Sequence, residues 1–212
     1  GVRKDSVIGH EICGVIEEVG CKVTNYKKGD RVAIANVIPC GHCSACLSGR
    51  ENACLHRQAI GYEFNGGFEE YVLIPEVCIR SGNVVKLPDS VSYAAGALIE
   101  PLACCIRGLR NTGTGFNDTV LVIGAGPIGL MHLQLSLISG AKSVIVSELD
   151  ASKRELAKKL GAKIVVDPAK EDLHQIVMDE TNGEGVDRIV MAIGVNALVD
   201  GTFKLARKGG TV

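Results

Sequence analysis

The sequence has almost no net charge, no basic leader and no long apolar run free of breakers. Its 23 Lys and Arg against 24 Asp and Glu leave a formal charge of -1 over 212 residues, which removes any general electrostatic case for nucleic acid or an anionic membrane. The start shows no basic stretch followed by an apolar one, and Gly1 is not an initiator Met, so the sequence reads as a processed chain or as part of a longer one. The longest uncharged stretch, 119–141, could nominally cross a bilayer, but it holds Gly124, Gly126, Pro127, Gly129, His132 and Gln134. A strand, a glycine turn and a buried helix fit those breakers better than a membrane span. Low-complexity segments and internal repeats are also missing. With hydrophobic residues at 46% and charged residues at 22%, collagenous, disordered and highly charged chains are excluded. The length suits one large or two small domains.

Residues 1–92 read as short strands and turns. Strands are expected at 7–8, at 13–16 with Val19, at 31–35 after the Gly29-Asp30 turn, and at 68–74, between Gly66-Gly67 and Pro75. Ser90 or Ser92 then caps a helix through Ala94, Leu98, Leu102, Ile106 and Leu109, whose three-to-four spacing marks a buried face, and Asn111-Thr112-Gly113 ends it. This assigns 93–112 to an interdomain helix and 113–212 to a second domain. From Asp118 onward strands are predicted over 120–123, 143–146, 163–166 and 188–192. Helices are predicted over 128–138, 152–160, 172–179 and 197–206. Such a right-handed βαβ series predicts a parallel sheet covered by helices, and Gly209-Gly210-Thr211-Val212 looks like the opening of one more strand.

Nine cysteines cannot form a complete intrachain disulfide set. Cys40-x2-Cys43-x2-Cys46-x7-Cys54 supplies four thiolates in a loop with Gly41, Ser44, Ser48 and Gly49, small residues that let backbone wrap a tetrahedral ion. Four sulfurs with no open position describe a structural zinc site in a reducing compartment, with disulfides or an iron–sulfur cluster as the alternatives. A zinc-ribbon nucleic-acid binder is disfavoured, because Arg50 and Arg57 belong to no wider basic, aromatic surface. Cys13, Cys21, Cys78 and Cys105 read as small buried or half-buried apolar residues. His42, His56, His132 and His174 lack a motif context.

Gly124-Ala125-Gly126-Pro127-Ile128-Gly129 follows an apolar strand and opens a helix, the context in which a G-x-G-x-x-G string points to a dinucleotide. The first glycine makes the turn, the second admits the pyrophosphate, and the third packs helix on strand. Glu148, at the end of the second strand, would accept hydrogen bonds from ribose hydroxyls and repel a 2′-phosphate, which favours NAD over NADP; Lys153 nearby weakens that preference. A glycine turn in an unrelated α/β fold is the alternative. Gly9-His10-Glu11 and Glu100-Pro101 offer an imidazole and two carboxylates, but sequence spacing does not show that they converge.

GHEICGVIEEVG, KKGDRV, CGHCSACLSGRENAC, GGFEEYV, LIEPLA, VLVIGAGPIGL and GAKSVIVSELD, in this order and spacing, resemble the middle of a zinc-containing medium-chain alcohol dehydrogenase along essentially the whole chain. The pairing of His-Glu with Glu-Pro-Leu is similar to the sorbitol, butanediol and threonine dehydrogenase branch. The resemblance implies an α/β protein: a partial GroES-like β-rich catalytic domain followed by a partial Rossmann domain with a doubly wound parallel sheet. It implies His10 as a ligand of a catalytic zinc, Glu11 and Glu100 as ligands directly or through water, and Ile128, Glu148 and Lys153 as NAD contacts. It also implies hydride transfer between a secondary alcohol (a polyol, diol or amino alcohol) and NAD, with zinc lowering the pKa of the alcohol.

Family members carry a Cys ligand about 25 residues before the His, and only nine residues precede His10 here. The expectation is therefore a fragment, inactive by itself, whose final Rossmann strand is also missing. The competing reading from another class is a non-catalytic zinc- and nucleotide-binding protein. The expected partners are a small-molecule alcohol or ketone, with no nucleic acid and no membrane. A homodimer or homotetramer in the cytoplasm is implied when the protein is intact.

Overall fold

The computed structural model describes residues 5–212. The chain divides into two compact units, Gly1–Pro101 and Leu102–Val212.

In the first unit β1 (Ile12–Val15), β2 (Arg31–Ile34) and β5 (Val84–Lys86) form an antiparallel sheet in the order β1-β2-β5, and β3 (Val37–Ile38) pairs with β4 (Gln58–Ala59). Short helices α1 (Ser44–Leu47), α2 (Glu76–Arg80) and α3 (Tyr93–Ala97) and a 3-10 turn at Glu51–Ala53 fill the connections. Val32, Ile34, Ile38, Ile60, Cys78 and Val84 make the core. The buried Asn83 amide donates to the carbonyls of Ala35 and Val37, both at 2.7 Å, which satisfies backbone where the chain passes from β2 into β3. The Arg31 guanidinium donates to the carbonyls of Pro88 and Val91 and lies 4.5 Å over the Tyr93 ring, tying β2 to the entry of α3.

Four expectations for this unit change. Residues 68–74 form no strand: the amides of Gly66, Gly67 and Phe68 donate to Val7, Gly9 and Ile8, and beyond them no ladder partner lies alongside among the described residues. A groove of about 830 Å³ separates this segment from β1. The 7–8 strand is absent too, those residues being an extended loop held by the same three bonds. The long helix is broken: the Ser92 hydroxyl caps α3 by accepting from the Ala95 amide, and α4 (Ile99–Thr112) starts afresh after Leu98. Pro101 supplies the reason, since its ring has no N–H and would clash with the Ala97 carbonyl in a continuous helix, whereas the first turn of a new one tolerates it. Cys21, expected to be at least half-buried, is exposed, while Cys78 and Cys105 are buried.

The second unit is a parallel sheet in the order β10-β9-β6-β7-β8, built from β6 (Thr119–Ile123), β7 (Ser143–Ser147), β8 (Ile164–Val166), β9 (Val186–Met191) and β10 (Ala206–Thr211). Every residue of β6 and β7 is buried. Alternate side chains serve opposite faces, with Val120, Val122, Val144 and Val146 in one cluster and Leu121, Ile123 and Ile145 in the other. The crossovers are α5 (Pro127–Ile138), α6 (Ala151–Lys159) and α7 (Leu173–Glu180). Pro127 starts α5 at a position where its missing N–H costs nothing, and the carboxylates of Asp150 and Asp172 cap α6 and α7 by accepting from the Lys153 and Gln175 amides.

Near the end the expected helix 197–206 shrinks to a 3-10 turn (Asn196–Leu198) and α8 (Val199–Thr202), and the strand thought merely to open at Gly209 is formed as β10. The β9 edge explains the change. The Val186 amide donates to the Leu205 carbonyl at 2.8 Å, buried Leu205 anchors the turn, and Arg207 pairs with Asp187. The strand order from β8 through β7, β6 and β9 to β10 puts a topological switch point between β6 and β9, at the carboxyl end of the sheet.

Candidate metal and nucleotide sites

The four expected thiols converge. Their Sγ atoms all lie within 4.8 Å of one another. The separations are 3.5 Å for Cys43–Cys46 and 3.9 Å for both Cys40–Cys46 and Cys43–Cys54. A tetrahedral ion with Zn–S bonds of about 2.3 Å requires edges of about 3.8 Å, whereas a disulfide requires about 2.0 Å. All nine cysteines are free, and the spacing suits one ion at the centre of four thiolates. The backbone prepares the charge. Amides of Cys46 and Leu55 lower the Cys43 thiol to about 6, and the Cys40 amide lowers Cys54. Burial and the neighbouring thiols push Cys46 up to about 12. Four adjacent thiolates thus need a cation to coexist.

His10, Glu11 and Glu100 also converge, each offering a ligand atom within 4.8 Å of the other two. Glu100 comes from the first turn of α4 and the other two from the loop entering β1. Glycines make that approach possible. A Cβ at Gly66 would lie 2.1 Å from the Gly9 carbonyl oxygen and one at Gly61 would lie 2.7 Å from it, so both positions require a bare backbone. Sequence reading treated Gly66-Gly67 as a turn only and passed over Gly61 and Tyr62, whose ring stands 5.8 Å from that of His10. The available signal was the Gly-Tyr pair just after buried Ala59 and Ile60.

In the second unit the glycine turn sits at the switch point. A Cβ at Gly124 would meet the Ile193 side chain at 2.4 Å and one at Gly129 would meet the Gly124 carbonyl oxygen at 1.9 Å, so these two glycines serve packing. Gly126 faces nothing within 4 Å, an opening at the amino end of the twelve-residue α5 where a pyrophosphate fits. Glu148 accepts from the Ala125 amide at 2.7 Å through Oε2 and from the Asp150 amide at 2.9 Å through Oε1. Burial raises its carboxyl, but those amides and the Lys153 charge outweigh burial and hold it below the usual range. Beside it opens a cleft of about 560 Å³ with Leu149, Pro168, Ala169, His174 and Ile193 among its lining residues. His174, which lacks a motif context in the sequence, and Pro168, which carries no motif signal, follow the third strand of the series and so come to this end of the sheet. His132 plays no part there: it is buried on α5 against Gly108, with its Nδ1 unpaired and its basicity lowered by burial.

No helix among the described residues is long and apolar enough to cross a membrane. The family model of the alcohol dehydrogenase GroES-like domain matches residues 1–89, and that of the zinc-binding dehydrogenases matches 127–212. The chain is 40% identical over 207 residues to a D-arabitol-phosphate dehydrogenase of Enterococcus avium, covering 96% of this chain and 57% of that protein. To an L-threonine 3-dehydrogenase of Bacillus velezensis it is 33% identical over 209 residues, covering 99% and 59%. A solved structure described as a zinc-binding dehydrogenase of Sinorhizobium meliloti 1021, bound to NADP, superposes with a TM-score of 0.90 at 36% identity, covering 100% of this chain and 61% of that one. The chain therefore spans about three fifths of the length of the relatives it matches. Through motifs, strand order and these likenesses together, the chain belongs to the zinc-containing medium-chain alcohol dehydrogenase superfamily.

Proposed function

We propose that this chain carries the metal-binding and nucleotide-binding parts of a zinc-dependent oxidoreductase that transfers a hydride between a secondary alcohol and NAD. The observation that carries the reading is the meeting of His10, Glu11 and Glu100. One neutral imidazole and two carboxylates balance a divalent charge and suit zinc. When bound there, the metal supplies Lewis-acid polarisation of the alcohol oxygen. Cys40, Cys43, Cys46 and Cys54 hold a second, structural zinc and so fix the loop between β3 and β4. The Gly124–Gly129 turn and the start of α5 hold the pyrophosphate, with Pro127 and Ile128 shaping the turn. Glu148 keeps lone pairs on both carboxylate oxygens for ribose hydroxyls, and its charge disfavours a 2′-phosphate. Lys153 contributes the nearby positive charge.

The substrate class is a polyol, a diol or an amino alcohol, as the names of the relatives suggest. A homodimer or homotetramer is the proposed assembly. Thiolate ligands call for a reducing setting such as the cytoplasm. A second reading, metal and nucleotide binding without turnover, is favoured by the make-up of the group around His10, which among the described residues offers one imidazole and two carboxylates and no thiolate. Elemental mass spectrometry of purified chain, combined with NAD reduction assays on sorbitol, 2,3-butanediol and threonine, separates them. Two zinc ions per chain, reduced to one by His10→Ala, together with NAD reduction on one of these alcohols, support the first reading, whereas two zinc ions without NAD reduction support the second. One zinc, unchanged by that substitution, defeats it.

A further inference from the structure

The wall of the nucleotide cleft is fastened by one ion pair that the glycine motif does not include. Arg154, on α6, donates through Nη1 to the carbonyls of Glu148 at 2.8 Å and Leu149 at 2.6 Å. Its Nη2 pairs with Asp167 Oδ2 at 3.0 Å, both side chains being mostly buried. Asp167 Oδ1 in turn accepts from the Ala169 amide at 3.1 Å, and its own amide donates to Glu171. Glu148 and Leu149 line one part of the cleft, and Pro168 and Ala169 line another. A single guanidinium thus ties the end of β7 to the end of β8 and fixes the lining residues on both. Three of its five N–H donors are engaged in this task, and Asp167, which also pairs with the exposed Lys170 at 3.4 Å, neutralises positive charge at this end of the sheet.

We propose that Arg154 and Asp167 are positioning residues for the adenosine end of a dinucleotide, and that Asp167, by engaging Arg154, keeps the cleft selective against a 2′-phosphate. The proposal rests on the nucleotide reading above. Lysine at 154 reaches the carboxylate but cannot serve two carbonyls and Asp167 together. Asparagine at 167 keeps the contact with the Ala169 amide while releasing the guanidinium.

The test is calorimetric titration of the chain and its variants with 5′-AMP and with 2′,5′-ADP, alongside thermal melts. Arg154→Gln is expected to weaken 5′-AMP binding about tenfold, and Arg154→Lys to restore part of that loss. Asp167→Asn is expected to shift the preference toward 2′,5′-ADP about fivefold, a gain that loosened packing does not produce. Wild-type chain that binds 5′-AMP, with Arg154→Gln folded and binding it equally well, overturns the clamp alone. Equal weakening of both ligands by Asp167→Asn overturns the selectivity. Wild-type chain that binds neither ligand overturns the nucleotide reading and the clamp with it.

Discussion

The two units reach order by different means. From Leu102 onward the chain builds a five-stranded parallel sheet whose β6 and β7 are buried at every residue, with apolar clusters on both faces. Before Pro101 the strands are at most four residues long, the sheets have three and two strands, and the buried cluster is smaller. Its loop 40–54 has one buried alanine in α1 and four gathered thiols. With so small an apolar core, such a loop is expected to depend on a metal at its thiols, whereas the sheet of the second unit is held chiefly by apolar burial, with ion pairs and helix caps added.

Removing zinc should break this contrast most sharply. Chelation, or Cys46→Ser, should withdraw stabilisation on the order of 10 kcal/mol from the 40–54 lobe. Hydrogen exchange then rises across 37–60 and stays low across 119–147; equal exchange in both would refute the division of labour. Next come the packing changes in the second unit. Gly129→Ala forces a Cβ against the Gly124 carbonyl and Leu133→Ala opens a cavity under the sheet. Each is expected to cost about 3 kcal/mol in urea titrations and to leave the zinc content unchanged.

Acid offers a subtler separation. Burial raises the carboxyls of Asp167 and Asp187, yet both are held below their ordinary range. Asp167 owes this to the Ala169 amide, Arg154 and Lys170, and Asp187 to the Thr119 amide, Arg207 and Arg188. Groups lowered in the folded state stabilise it fully above their unfolded pKa of about 3.9, and that contribution is lost as pH falls through the folded values. Circular dichroism should therefore show the second unit weakening below about pH 4, and Asp187→Asn should flatten that decline. An unchanged acid profile in the variant would remove Asp187 from the account. The smallest effect is expected at the α3 cap, where Ser92→Ala should cost about 1 kcal/mol; a melt shifted no more than by an exposed surface change would show that the hydroxyl does not stabilise the start of α3.

Legibility followed the same boundary. Between 119 and 191 each expected strand and helix lies within about two residues of its position, because unbroken Val and Ile runs belong to strands buried on both faces and Asp150 and Asp172 mark helix starts. Residues 68–74 end in the apolar run Tyr71-Val72-Leu73-Ile74 and are bounded by turn residues like a strand, but composition cannot supply a neighbouring edge. Residues 197–206 have helical composition, yet the open side of β9 recruits 206–211 into the sheet. Spacing was enough to foresee that the four thiols gather, since a loop that returns on itself within fifteen residues pays little closure entropy.

By itself the sequence determined the βαβ order, the glycine turn and the four-thiol loop, all of them features in which the residues that act together are close along the chain. Only the tertiary structure decided that Glu100 meets His10 and Glu11, that Gly61 and Gly66 make way for the Gly9 carbonyl, and that Arg154 reaches Asp167 across two strand ends. The reason is that contacts between distant residues depend on how whole elements pack, and no local pattern encodes the outcome of that packing.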